Sequence, residues 1–226
     1  MSLRKIVKKA SSTILIPLTR WYLRKERKYR YKGVIVKVFP GVFHPGLFYS
    51  TRFLLSFIEK QNLKNKSFLE LGCGSGLISV AAAKQGAVVT SSDLNPRAVE
   101  NCVQNAELNN IRLTAIHSNL FRSIPQKQFD WIVINPPYYA KAVQNDESLA
   151  WNCGENFEYF RDLFLDLKNF MHQQSKVIMV LTLGCDIPTI KTIAKESDFD
   201  FQLLEEKAVL FDEKDFIFQI RHSAKI

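Results

Sequence analysis

The chain lacks any apolar run near the roughly 18 residues that a membrane-spanning helix needs, which points away from a protein buried in a bilayer. Residues 14–18 are too short for the apolar core of a signal peptide, and Pro17 interrupts them. Cysteine is scarce: Cys73, Cys102, Cys153 and Cys185 lie far apart, with no CxxC pair and no His/Cys cluster. Such spacing builds neither a disulfide framework nor a metal site, so the expectation is free thiols in a reducing cytoplasm. The four histidines, His44, His117, His172 and His222, form no evident dyad and read as structural or surface residues. Internal repeats and low-complexity tracts are also missing.

Acid is nearly absent from the start of the chain. Residues 1–37 hold 12 Lys/Arg against one acid, Glu26, while the whole chain of 226 residues nets +9. All the excess positive charge therefore sits in this segment, interleaved with Trp21, Tyr22, Tyr29 and Tyr31. Basic side chains with aromatics suit a polyanion, meaning RNA, a ribosomal particle or an anionic membrane face. The plainer alternative is a solvated basic helix. Elsewhere the composition, 46% hydrophobic and 23% charged, is that of an ordinary globular protein. The chain divides into a basic, aromatic-rich extension over 1–40 and one domain over 41–226.

From residue 34 the pattern alternates. A strand over 34–39 precedes a turn-rich crossing, and Ser50 or Thr51 is placed to cap an amphipathic helix to about Lys60. Strands follow over 67–71, 87–92, 111–117, 129–134 and 176–183. Helices are expected over 77–84, from Asn95 with Pro96 at its first position, along Phe157, Phe160, Phe164 and Leu167, and from about Pro188. Two closing strands, near 202–210 and 215–221, are joined too tightly for a crossover and should be antiparallel. The fold class is α/β: a mostly parallel sheet with helices on both faces.

Two motifs carry the chemistry. Glu70-Leu71-Gly72-Cys73-Gly74-Ser75-Gly76 joins the first of these strands to its helix, where glycines allow a tight turn and close approach to a ligand. The helix start near Leu77 offers N–H groups to a carboxylate. Leu77 stands where a dinucleotide fingerprint has its third glycine, which favours S-adenosylmethionine (SAM) over NAD. Asp93, at the end of the second strand, suits a ribose diol, and Leu94 follows it. Glu70 suits the cofactor's ammonium. Cys73 reads as space-filling in the loop.

Asn135-Pro136-Pro137-Tyr138 follows the fourth strand. Each proline forces extended geometry on the residue before it and brings no N–H, so the loop is stiff and starts no helix. The Asn135 side-chain oxygen and the Pro136 carbonyl can hold the two hydrogens of a planar NH2 group. That arrangement directs its lone pair at a methyl group, with Tyr138 stacking on the plane.

These residues resemble the class I SAM-dependent methyltransferases. They are most similar to the small-domain N-methyltransferases, which include the HemK-like glutamine methyltransferases and several RNA and DNA amino-methylases. Val42-Phe43-His44-Pro45 resembles the segment before the first catalytic-domain helix of that group. The resemblance implies a Rossmann-like, seven-stranded sheet with an antiparallel last strand. It implies that Gly72, Gly74 and Gly76 bind SAM, Asp93 its ribose, and Asn135, Pro136 and Tyr138 the target nitrogen. Asn119 and Leu120 follow the third strand, and Asn119 stands where many relatives carry Asp for the adenine amino group. Trp151, Asn152 and Gly154 are candidates for a flap. The resulting expectation is a cytoplasmic SAM-dependent enzyme acting on RNA through residues 1–37. Glutamine methylation of a protein such as a release factor is the rival, and a non-catalytic RNA- or membrane-binding module is the alternative of another class.

Overall fold

The computed structural model describes residues 22–144, 146–208 and 214–223. Residues 1–21, the larger part of the segment expected to grip a polyanion, lie outside the described residues.

The first strands of the described residues form a hairpin. β1 (Arg27–Tyr31) pairs antiparallel with β2 (Val34–Val38) through a two-residue turn in which Lys32 and Gly33 have φ 40° and 82°. Two successive positive φ values match the twist of paired strands. β2 was legible; β1 was not, because its period-two alternation is written in Lys, Arg and Tyr rather than in aliphatic residues. Val34, Val36 and Val38 point into the core.

The other edge of β2 is closed by a helix. α3 (Pro96–Leu108) begins at Asn95, whose side chain accepts a hydrogen bond from the Arg97 N–H at 2.9 Å. Along this helix and its C-cap, Asn101, Asn105 and Asn109 repeat every fourth residue on one face. Their side-chain oxygens accept from the N–H groups of Phe39, Lys37 and Ile35 at 3.0, 2.7 and 3.2 Å. Their NH2 groups donate to the Lys37 and Ile35 carbonyls. Three amide side chains thus replace a neighbouring strand.

α1 (Tyr49–Ile58) departs from expectation at its start. Phe48 is the N-cap and no side chain caps the helix, so neither Ser50 nor Thr51 has that role. Both lie in the first turn and are buried, and both hydroxyls are engaged with the loop after β6 (Trp131–Ile134).

The main sheet contains β3 (Ser67–Leu71), β4 (Val88–Asp93), β5 (Thr114–His117), β6, β7 (Lys176–Thr182), β8 (Phe199–Ala208) and β9 (Lys214–His222), in the order β5-β4-β3-β6-β7-β9-β8. Only β9 runs against the rest. Strand side chains sort by parity into two apolar layers: on β7, Ile178 and Val180 join one, and Val177, Met179 and Leu181 the other. α2 (Leu77–Lys84) and α1 contribute to the first layer. α5 (Glu158–Leu167) and α6 (Ile187–Glu196) contribute to the second, and the short α4 (Asp146–Leu149) lies in the loop between β6 and α5. Phe157 caps α5 at φ 59° rather than lying within it. The strand order reverses between β3 and β6, which opens a crevice at their carboxyl ends.

Candidate active site

Leu71 and Ile134 are register partners on β3 and β6, so the glycine loop and the Asn-Pro-Pro-Tyr loop leave the sheet side by side. Together with the ends of β4 and β5 they border a cavity of about 470 Å³, within the range of small-molecule sites. Glu70, Gly72, Cys73, Gly74, Asp93, Leu94, Asn119, Leu120, Asn135, Pro136 and Tyr138 all line it. Gly76 does not. A Cβ there would fall 2.6 Å from the Cys102 sulfur and 3.0 Å from its Cα, so Gly76 lets α2 close against α3.

The glycine loop is fixed by its neighbour strand. The N–H groups of Gly72 and Cys73 both donate to the Ser92 carbonyl at 2.9 Å. The Gly74 N–H donates to Asp93 Oδ2 at 2.8 Å and the Asn95 N–H to Oδ1 at 2.9 Å. Each Asp93 oxygen keeps lone pairs for a ligand. Burial raises the Asp93 pKa, and the N–H groups of Asn95 and Gly74 pull it back.

Glu70 is 4% exposed and accepts from the Ser79 hydroxyl, which also contacts Ser91 Oγ at 2.6 Å. Burial pushes its pKa up to about 8, so near neutrality it is largely protonated until a cation arrives. The carboxyl groups lining the cavity are those of Glu70, Asp93, Glu155, Glu158 and Asp162, with no Lys, Arg or His among the described lining residues. This donor set fits SAM, whose sulfonium and ammonium are cationic. Asp93 suits the ribose hydroxyls, Glu70 the ammonium, and the first turn of α2 the carboxylate. A pyrophosphate would be repelled.

In the second loop, Tyr138 is 8% exposed and its hydroxyl lies 2.6 Å from both Asn135 Oδ1 and Ser50 Oγ. Asn135 Nδ2 donates to Thr51 Oγ1 at 3.2 Å. The segment of the flap candidates Trp151, Asn152 and Gly154 is tied by backbone pairing to the loop after β6. Tyr138 and Tyr139 donate to the Trp151 carbonyl at 2.9 and 2.8 Å, and Cys153 donates to Tyr139 at 2.8 Å. Asn152 and Gly154 line the cavity; the Trp151 ring packs instead on Phe43 and Phe48.

Sequence reading missed Thr51, Ser118 and Tyr159 on the cavity wall. For Thr51 a signal existed: two hydroxyls side by side at the start of a helix whose buried face is otherwise Phe, Leu and Ile. Tyr159 was hidden among phenylalanines that pack. Among the described residues no group of three His, Cys, Asp or Glu could hold a metal, and no helix is long and apolar enough to cross a membrane.

Fold and donor set together define a SAM-dependent methyltransferase. The family profile described as Methyltransferase small domain matches residues 33–155, and the chain belongs to that family. A Methanocaldococcus jannaschii protein named "Putative protein N5-glutamine methyltransferase" is 31% identical over 189 residues, 80% of this chain and 93% of that one. A ribosomal protein L11 methyltransferase of Helicobacter hepaticus is 32% identical over 136 residues, 56% of this chain but 42% of its own length. Among solved structures, the 16S rRNA N2 G1207 methyltransferase of T. thermophilus, in complex with AdoMet and guanosine, superimposes with TM-score 0.64 at 20% identity. That match covers 87% of this chain and 50% of the other.

Proposed function

We propose that this enzyme methylates a planar NH2 nitrogen of a macromolecule in the cytoplasm, with an RNA base as the leading target. The supporting observation is the adjacency of Asn135 and the glycine loop at the switch point of the sheet. An exocyclic or amide NH2 is a weak nucleophile because its lone pair is delocalised. Asn135 Oδ1 keeps a lone pair beyond the one facing Tyr138, and with the Pro136 carbonyl it can take both N–H hydrogens. Bound SAM supplies a methyl group on a sulfonium, an electrophile that needs no activation. The nitrogen gains the methyl and loses a proton, so holding it in line matters more than a strong base.

On this reading residues 1–40 grip the substrate and residues 41–226 catalyse. RNA is favoured by the hairpin, where Lys28 lies directly across from Lys37. Like charges paired across strands cost stability; the Lys37–Glu26 pair at 3.7 Å relieves part of that cost, and a polyanion would offset the rest. Glutamine in a protein is the second reading. It draws support from the all-acidic cavity wall, which disfavours phosphate, and from the relative of similar length.

The test is transfer of labelled methyl from SAM to total RNA and to cell protein, with Asn135→Ala as the null and mass spectrometry of the product. A methylated base, with binding that weakens steeply as salt rises, is the expected result. Label on glutamine alone would select the second reading. A folded enzyme that labels neither would overturn both.

A further inference from the structure

We infer that Ser50 and Thr51, at the start of α1, are positioning residues for methyl transfer, acting with the Tyr138 hydroxyl to fix which end of the Asn135 amide faces the substrate. The inference rests on the reading of Asn135 as the group that holds the target nitrogen.

An asparagine amide presents an acceptor at one end and a donor at the other, and the two have the same shape. Only the oxygen end can hold an NH2 group; the nitrogen end would repel it. Something must therefore set the rotation of the side chain. Asn135 follows β6, and the prolines after it fix the backbone without fixing the amide plane. In the structure both ends are tied: Tyr138 Oη lies 2.6 Å from Oδ1, and Thr51 Oγ1 accepts from Nδ2 at 3.2 Å.

A hydroxyl can serve either end of an amide, so these two contacts alone leave the direction open. Ser50 shows the sense of the phenol. Its Oγ is placed to accept from the Tyr138 hydroxyl at 2.6 Å, as Asn135 Oδ1 is. The one phenol proton is shared between these two oxygens, so Tyr138 faces both as a donor, and only the oxygen end of an amide can accept from it. Tyr138 therefore sets the oxygen end of Asn135 toward itself, and Thr51 receives what the nitrogen end gives.

Burial keeps these contacts exclusive. Ser50, Thr51 and Tyr138 are 2%, 5% and 8% exposed, so water does not compete for these groups. Each is expensive to leave without a partner, which makes the arrangement stiff. Oδ1 is left with one lone pair, already directed. This assigns Tyr138 a task for its hydroxyl that stacking of its ring on a substrate would not require.

The full chain tests this through Tyr138→Phe, Thr51→Val and Thr51→Ser. SAM affinity by calorimetry should stay within about twofold in all three. Labelled-methyl transfer to the RNA and protein fractions should fall at least tenfold in kcat for Tyr138→Phe and Thr51→Val, with KM for SAM unchanged. Thr51→Ser should recover most of what Thr51→Val loses. A wild-type rate in Tyr138→Phe would overturn the inference, since that variant keeps the ring. A second readout needs no substrate: the side-chain 1H–15N pair of Asn135, recognised by its loss in Asn135→Asp. Its exchange with solvent should be at least tenfold slower in wild type than in Tyr138→Phe and Ser50→Ala. Equal exchange would reject the network whatever the enzyme methylates. Protected exchange with no labelled product would reject the NH2 reading instead.

Discussion

Asn105 holds Lys37 by both ends of one amide: its oxygen accepts from the Lys37 N–H at 2.7 Å and its NH2 donates to the Lys37 carbonyl at 2.7 Å. The same NH2 group reaches the Ser75 carbonyl at 2.9 Å. One buried side chain therefore joins the basic hairpin to the cofactor loop.

Replacing Asn105 with Leu strips the Lys37 N–H and the Ser75 carbonyl of a partner inside the fold. At about 1–3 kcal/mol for each of the two groups left unsatisfied, the loss should be roughly 2–6 kcal/mol. Thermal denaturation should show a midpoint lower by about 4–24 °C, from about 2–4 °C per kcal/mol for a chain of this size. A midpoint within a degree of wild type would mean that the amide contributes nothing.

With Glu70 facing the SAM ammonium, cofactor binding should depend on pH. Its carboxyl is pushed up to about 8 by burial, from an ordinary value of 4.5. The folded, ligand-free protein therefore keeps a proton that the unfolded chain gives up. This contribution to stability is complete below about pH 4.5 and is lost as pH rises to about 8. Binding the SAM ammonium should expel the proton. Affinity should then rise nearly tenfold per pH unit between about pH 6 and 7.5, and Glu70→Gln should flatten that slope. Calorimetry in buffers of different ionisation enthalpy would count the proton directly; no proton release at pH 7 would refute the assignment.

Gly76→Ala tests a packing role against a binding role. Its φ of 75° already disfavours a side chain, and the new Cβ would meet Cys102 at 2.6 Å. Because the Cys102 Cα is itself 3.0 Å away, shortening the side chain with Cys102→Ala should rescue only part of the loss. The single variant should lose about 2–4 kcal/mol, from overpacking together with left-handed strain. If urea denaturation finds it as stable as wild type while SAM no longer binds, Gly76 belongs to the cofactor site after all.

Asp93→Asn keeps one acceptor oxygen for the Gly74 or Asn95 N–H while removing the charge. SAM affinity should fall about 10–100-fold, the range lost with a charge-assisted hydrogen bond, and stability by about 1–3 kcal/mol for the one N–H left facing an NH2 group. Unchanged affinity in a titration would mean that the ribose is held elsewhere.

Much of this was readable from residues alone, for definite reasons. Leu77–Lys84 was placed with both ends correct because three glycines precede it and small apolar residues fill it. Asn95 and Pro96 announced α3 by capping chemistry. Antiparallel pairing of β8 and β9 followed from a connection too short to cross over. What failed to show was polar material inside the fold. Asn101, Asn105 and Asn109 look like solvent-facing helix positions until a strand edge is laid against them. Ser50 and Thr51 look like caps for the same reason: hydroxyls at a helix start usually serve their own backbone. Here they serve a loop more than eighty positions away, a long-range pairing that no local pattern records.

The amide rungs along α3 also bear on how the chain avoids aggregating. A two-stranded ribbon has two open edges, and each is a template on which another copy could add a strand. On the β2 side the backbone groups are already taken by asparagine, so no further strand can dock there. The β1 side carries Arg27, Lys28 and Arg30, whose mutual repulsion opposes stacking of a second ribbon. Exchanging those charges for valine or isoleucine would turn that edge into a sticky surface, and the cost would appear as precipitation rather than as lost stability.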